Sequence, residues 1–330
     1  MEKHTKLRWG ILGPGAISTK FAIGLQATNS GELIAVGSRN FERATAFAEK
    51  FGAPQAYGSY SDLVADSNID AIYIGTPHSY HKDHAILCMR AGKHALCEKP
   101  FAINAKEAAE MIAVAEETGA FLMEAMWSRF LPSLVKTREI IADGTIGEPR
   151  MIYADFGFRM GTVMPEHRLF DPKLGGGALL DVGIYPLSLA SMLFGAPTQI
   201  SSMANLGTTG VDEESAILLG HEGGQMAICS TAIQLNTPHE AQILGTDGSI
   251  KIQAPWWSSS KITLNKGDVE TTFHLPYKGN GYTHEAEEVA QRLAKGVTES
   301  AVMPLAESLT IMQTMDKIRE QWNLKYPNDI

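Results

Sequence analysis

From residue 7 to about residue 124, short apolar runs alternate with longer amphipathic stretches, an order that commits a chain to a parallel sheet covered by helices. The apolar runs are 7–12, 33–38, 71–75, 95–98 and 121–124, and the helical stretches lie near 17–26, 41–51, 80–91 and 105–118. This predicts an α/β, doubly wound nucleotide-binding domain. Beyond Pro149 the texture changes to closely spaced strand-like runs at 151–158, 200–205, 215–219, 225–232, 249–253 and 261–265. Turn signals such as Gly223-Gly224 and Asp247-Gly248 separate several of them. Helical stretches interrupt this half near 178–194, 283–295 and 305–322, the last with Leu309, Met312 and Met315 at helical spacing. A chain of 330 residues exceeds the size of most single cores. The expectation is therefore a nucleotide-binding domain over 1–124 and an α+β domain over 125–330, built on a large, mostly antiparallel open sheet.

Such a sheet carries helices on one face and must bury the other, which predicts a homodimer through the open face. With 28 basic against 37 acidic residues the net charge is −9, which argues against nucleic-acid and anionic-membrane partners and leaves a small-molecule substrate. No segment reads as a membrane span. Cys88, Cys97 and Cys229 form neither a disulfide framework nor a Cys-x-x-Cys pair. The N-terminus lacks the long apolar stretch of a secretory signal, so a cytoplasmic protein is expected.

The first strand leads into Gly13-Pro14-Gly15-Ala16-Ile17-Ser18 ahead of a helix. Gly13 permits the tight turn, and Gly15 lets backbone N–H groups approach a pyrophosphate. Ala16 and Ile17 open the helix, whose N-terminus favours negative charge. Ser18 replaces the usual third glycine but is still small enough for close helix–strand packing. The alternative is an ordinary strand–helix turn. At the end of the second strand, where an NAD-binding chain usually offers a carboxylate, stand Ser38 and Arg39. A hydroxyl and a guanidinium suit a 2′-phosphate, so NADP(H) is expected, with Arg43 assisting one turn on. Arg39 reads alternatively as a solvated helix-start residue.

The segments Gly75-Thr76-Pro77-His78-Ser79-Tyr80-His81 and Glu98-Lys99-Pro100 make the chain resemble the glucose–fructose oxidoreductase, inositol dehydrogenase and MocA family. Glu124-Ala125-Met126-Trp127-Ser128-Arg129-Phe130, and the run from Gly175-Gly176-Gly177 to Asp181 and Tyr185, resemble its branch of dimeric dihydrodiol and NADP-dependent D-xylose dehydrogenases. The resemblance implies two domains with the active site between them and oxidation or reduction of a sugar, cyclitol or trans-dihydrodiol carbon. It also implies Lys99 as the catalytic lysine, joined by Asp181 and Tyr185. A histidine replaces the tyrosine in many relatives. Thr76, Pro77, His78, His81, Glu98 and Lys99 are expected along the cofactor.

These residue types suit the chemistry. The hydride belongs to the nicotinamide, so the protein orients the carbon and moves the hydroxyl proton. A phenol with an ordinary pKa of about 10 becomes a better base beside an ammonium, and the Lys99 ammonium also stabilises the oxygen that gains negative charge. Which of Lys99 and Tyr185 takes the proton is left open. Asp181 precedes Tyr185 by four positions, on one face of a helix; it binds a substrate hydroxyl or Lys99, or else caps the helix. Pro186 predicts a kink or a helix start near Tyr185. The triple glycine permits close approach to a ligand or simply forms a turn. Trp127 stacks on substrate or packs in the core, and Arg168 reaches substrate hydroxyls or braces its loop. His81 and His84 lack the further ligands of a metal site, so no metal is expected. Trp256-Trp257 reads as core or interface. A non-catalytic NADP sensor and a nicotinamide-dependent glycosidase are the competing functions.

Overall fold

The computed structural model describes residues 6–329. The chain divides into two compact units. One holds the chain up to Ala102 with Lys106–Trp127 and Lys278–Ser308; the other holds Ile103–Ala105, Ser128–Tyr277 and the chain from Leu309 onward.

The first unit contains β1 (Leu7–Leu12), β2 (Gly31–Gly37), β3 (Gln55–Tyr57), β4 (Ala71–Ile74), β5 (His94–Glu98) and β6 (Leu122–Ala125). They form one sheet in the order β3-β2-β1-β4-β5-β6, with every pair parallel. The connecting helices are α1 (Ala16–Gln26), α2 (Phe41–Phe51), α3 (Tyr60–Ala65), α4 (His81–Arg90) and α5 (Ala105–Thr118). Trp9, Ile11, Leu12, Ile72, Tyr73 and Ile74 are completely buried, as expected of strands covered on both faces. The strand order reverses between β1 and β4, so the loops after these strands meet at the switch point where doubly wound sheets bind ligands. The sequence reading lacked β3 and α3, which are too short to show a period.

The second unit contains β7 (Pro149–Gly157), β8 (Pro197–Leu206), β9 (Asp212–His221), β10 (Met226–Ala232), β11 (Ala241–Gly245), β12 (Ser249–Ile252), β13 (Lys261–Lys266) and β14 (Val269–His274). Their order is β14-β13-β12-β11-β7-β10-β9-β8, antiparallel throughout except for the parallel β7–β10 pair. Side chains alternate as a one-sided sheet requires. Ile152, Ala154, Ile217, Leu219, Ala227 and Cys229 are buried, on the face packed by α7 (Ile184–Phe194) and the helical turn before it. Tyr153, Leu218, Met226 and Ile228 are exposed on the opposite face. Also in this unit is α6 (Pro132–Ala142), which the sequence reading lacked, as it did β11 and β14.

Two expectations need correction. The segment 278–308 belongs with the nucleotide unit rather than the second: in α8 (Thr283–Ala294) the Thr283 hydroxyl donates to the Gly24 carbonyl of α1 at 2.8 Å. Gly24 allows this approach, since a Cβ there would lie 2.9 Å from the Tyr282 Cβ. The second correction concerns membrane-span length, which Pro172–Phe194 does reach, with 23 residues and a mean hydropathy of 1.5 over its most apolar 18-residue stretch. Its most apolar stretch is 83% buried inside the protein, which accounts for the composition as that of a core helix. The last elements among the described residues are α9 (Leu305–Trp322) and a short turn at Pro327–Asp329.

Candidate functional site

In the nucleotide unit, Gly13 has φ +90°, and a Cβ there would meet Thr76 Cγ2 at 2.8 Å, so the turn demands glycine. Gly15 caps α1 in extended conformation, and a Cβ on it would find only the Gly75 carbonyl oxygen, at 3.9 Å. Among the described residues, no side chain caps α1 and no acidic residue lies in its first turn. The amides opening this helix at Ala16 and Ile17 are therefore suited to an anion. Ser18 is fully buried and donates to the Gly13 carbonyl at 2.7 Å. A Cβ on Gly75 would lie 2.1 Å from the Ser18 hydroxyl, so Ser18 fits at this position against a glycine on the neighbouring loop.

Ser38 directly follows β2 in a buried position, its hydroxyl accepting from the Asn40 amide at 3.2 Å. Arg39 is exposed, with its guanidinium carbon 5.7 Å from the Tyr80 ring centre. Burial raises the Tyr60 phenol pKa while Arg39 and Arg43 oppose the rise, which sets both cations beside this ring. Arg43 donates to the Pro14 carbonyl at 3.3 Å and so reaches the glycine loop. Arg39 is thus held over an aromatic ring at the strand end rather than simply solvated.

At the ends of β4 and β5 the structure gathers Thr76, His81 and the segment after Glu98. His81 is fully buried, with Nδ1 2.8 Å from the Pro100 carbonyl oxygen and Nε2 2.9 Å from that of Thr76. Burial lowers its pKa to about 4 against the pull of these two carbonyls. The ring thus pins two loops together. His84 Nδ1 lies 3.0 Å from Thr76 Oγ1, and burial likewise lowers this imidazole to about 4. Glu98 is buried; Oε1 accepts from the Tyr73 hydroxyl and Oε2 from the Lys99 amide at 3.2 Å. Both carboxylate oxygens are thereby engaged by protein donors. Behind it the fully buried Glu285 is held well above the ordinary carboxyl range by burial and by the Glu98 charge. Lys99 follows β5 in a half-buried position, and Thr76, Pro77 and His78 follow β4. Trp127, 6% exposed, stacks on Tyr282 at 4.5 Å and 15°, so protein occupies that ring face.

In the second unit, Asp181 lies in a π-helical turn, Leu179–Gly183, that runs directly into α7. Pro186 is the third residue of α7. Its missing N–H and its ring disfavour the regular i−4 pattern, and the wider π turn absorbs that conflict. Asp181 Oδ1 accepts from Arg168 at 2.8 Å, with the Asp181 side chain 7% exposed and that of Arg168 50% exposed. The bracing role of Arg168 is therefore present, and the pair keeps an open side. Tyr185, next to the π turn, has Phe156 at 5.2 Å and Trp257 at 6.4 Å between ring centres. Phe156 and Trp257 stack at 3.4 Å and 7°, and His239 sits 4.7 Å from Trp257. Trp256 instead belongs to the core, donating from Nε1 to the Asp155 carbonyl at 2.7 Å. The triple glycine is a packing device: Gly175 and Gly177 have φ +75° and +114°, and a Cβ on Gly176 would meet the Leu169 carbonyl oxygen at 2.7 Å.

Sequence reasoning missed Phe156, His239 and Tyr80, and it read Trp257 only as core or interface. Phe156, His239 and Trp257 come from separate segments, and the adjacent tryptophans were their one visible signal.

Two family models match the chain: an oxidoreductase family with an NAD-binding Rossmann fold over residues 7–126, and a GFO/IDH/MocA C-terminal domain over residues 134–251. The Mus musculus protein named trans-1,2-dihydrobenzene-1,2-diol dehydrogenase is 40% identical over 335 residues, covering 98% of this chain and 99% of its own. The Homo sapiens protein of the same name is 38% identical with the same coverage. Among solved structures, KijD10, a 3-ketoreductase from Actinomadura kijaniata in complex with NADP and TDP-benzene, superposes with a TM-score of 0.85 at 25% identity, covering 96% of this chain and 98% of that one. An aldose-aldose oxidoreductase from Caulobacter crescentus shares the fold, with a TM-score of 0.87 at 24% identity over 96% and 97% of the two chains.

Proposed function

The chain belongs to the GFO/IDH/MocA oxidoreductase family, and on that premise we propose that it moves a hydride between NADP(H) and a hydroxyl-bearing carbon of a small ring diol or sugar. The observation that carries the substrate reading is the setting of Tyr185. Phe156 and Trp257 offer an apolar wall for a ring, and Asp181, in the turn that leads into the same helix, together with its ion-pair partner Arg168 offers charges for hydroxyls. The name carried by the relatives at 37–40% identity supports a trans-dihydrodiol. A D-xylose-like aldose is the second reading, favoured by the same charged pair.

The residues present fit the dinucleotide: among the described residues none caps the α1 N-terminus with a side chain, and Gly15 leaves room for close approach. Gly13, Gly15 and the amides of Ala16 and Ile17 would hold the pyrophosphate, and Ser38, Arg39 and Arg43 the 2′-phosphate. Thr76, Pro77 and His78 would border the nicotinamide. When bound, NADP(H) supplies or accepts the hydride. Lys99 donates a hydrogen bond to the reacting oxygen, Lys99 and Tyr185 between them move its proton, and Asp181 with Arg168 fixes the neighbouring hydroxyl.

The test is a panel of trans-diols and aldoses scored by kcat/KM with NADP and with NAD. Diol turnover well above aldose turnover is expected; a panel with no turnover supports the sensor reading instead. Arg39→Ala is expected to raise KM for NADP by about tenfold to a hundredfold, the worth of charge-assisted hydrogen bonds, and to leave KM for NAD unchanged. An unchanged KM for NADP removes Arg39 from the cofactor site.

We also propose a homodimer, paired through the sheet face that carries Tyr153, Leu218, Met226 and Ile228. Sedimentation should give twice the chain mass, and a fully active monomer would refute it. Three buried free thiols fit the reducing cytoplasmic setting that we propose for the protein.

A further inference from the structure

The helix that carries Asp181 and Tyr185 is anchored from another strand. Asp212, the first residue of β9, is completely buried, and its Oδ2 accepts the Leu179 amide at 2.6 Å. Leu179 opens the π turn that leads into α7, so this carboxylate fills the capping role that the sequence allowed for Asp181. The seat is built closely. A Cβ on Gly177 would lie 2.2 Å from Asp212 Oδ1, and the Tyr326 hydroxyl donates to the Gly176 carbonyl at 2.5 Å. The middle and last glycines of the triplet thus bring the start of the π turn onto Asp212 and Tyr326.

We propose that Asp212 is a positioning residue for the reaction: as a carboxylate it holds the start of the π turn and so fixes where Asp181 and Tyr185 stand. The inference rests on the assignment of Tyr185 and Asp181 to the chemistry. A carboxylate accepts a hydrogen bond about twice as strongly as a neutral group and suits the positive end of a helix, and protonation weakens both effects. Burial raises the Asp212 carboxyl to about 7, opposed by the amides of Leu179, Ala178 and Asp212 itself and by Arg319. The ionisable groups acting on it are Arg319 of α9, which pairs with Asp316 and Asp329 at 2.6 Å each, and the buried Tyr326 phenol.

The signs follow from linkage. The ionised form is the ordered one, so kcat should rise as pH increases through about 7. The folded pKa lies above the ordinary carboxyl value, so this group's contribution to stability is full below about pH 4 and is lost as pH rises through about 7. Activity and stability should therefore run in opposite directions across that window.

The experiment is Asp212→Asn, which keeps the volume and one acceptor but cannot titrate. Measured are the pH profile of kcat, the urea midpoint from pH 4 to 8, and the Kd for NADPH. Expected are a kcat reduced about tenfold at neutral pH, loss of the acid limb near 7, a flattened midpoint profile and an unchanged Kd. An acid limb identical to that of the wild type overturns the proposal, whatever the fall in kcat, because a purely structural residue would not move the profile. If the asparagine variant does not fold, Asp212→Ser, which retains a capping hydroxyl without charge, is read by the same criterion. Full turnover in Tyr185→Phe would sink the underlying assignment, whereas an unmoved limb in Asp212→Asn with a disabled Tyr185→Phe sinks only the positioning role.

Discussion

A Lys99→Ala protein is expected to bind NADPH as the wild type does and to lose turnover by about 10³-fold, the usual worth of a positioned proton-transfer group. That is a barrier increase of about 4 kcal/mol. The substitution should remove chemistry without disturbing the fold, because the main chain here is held by other groups. The Lys99 amide donates to Glu98, and the next carbonyl, that of Pro100, lies against His81. Glu98 in turn accepts from Tyr73. None of these contacts uses the Lys99 side chain. NADPH fluorescence titration alongside steady-state kcat separates the outcomes: retained Kd with lost kcat supports the assignment, and wild-type turnover removes Lys99 from the reaction.

Tyr185→Phe should lower kcat by about 10²-fold with little change in KM, since only the hydroxyl is lost. The ring keeps its neighbours Phe156 and Trp257, so the apolar wall survives the change. A deuterium isotope effect on kcat, measured with substrate labelled at the reacting carbon, checks which step has slowed. A larger effect than in the wild type is expected as hydride transfer becomes rate-limiting. An effect confined to KM would reassign Tyr185 to substrate binding.

The nucleotide half was legible because its signals are local. Five apolar runs, a glycine turn before a helix and Ser38-Arg39 at a strand end all lie within short windows, and parallel strands buried on both faces are conspicuous. The fit of Ser18 against Gly75 was not legible, because the two loops meet only once β1 and β4 lie side by side. The same limit hid the aromatic setting of Tyr185: Phe156 lies near the end of β7, His239 precedes β11 and Trp257 follows β12. Helical spacing placed Asp181 and Tyr185 together, and Pro186 pointed to irregularity there, yet the cap came from Asp212 on β9. Periodicity marks a helix but not the unit it covers, which is why α8 was assigned to the wrong half.

The most direct test of net hydride transfer follows a label. A trans-diol deuterated at the reacting carbon is incubated with NADP and the enzyme, and the reduced cofactor is analysed by mass spectrometry. The account predicts one deuterium on each reduced nicotinamide, formed in step with ketone product. Deuterium retained in the product with no reduced cofactor, or no reaction with any diol or aldose, would contradict it.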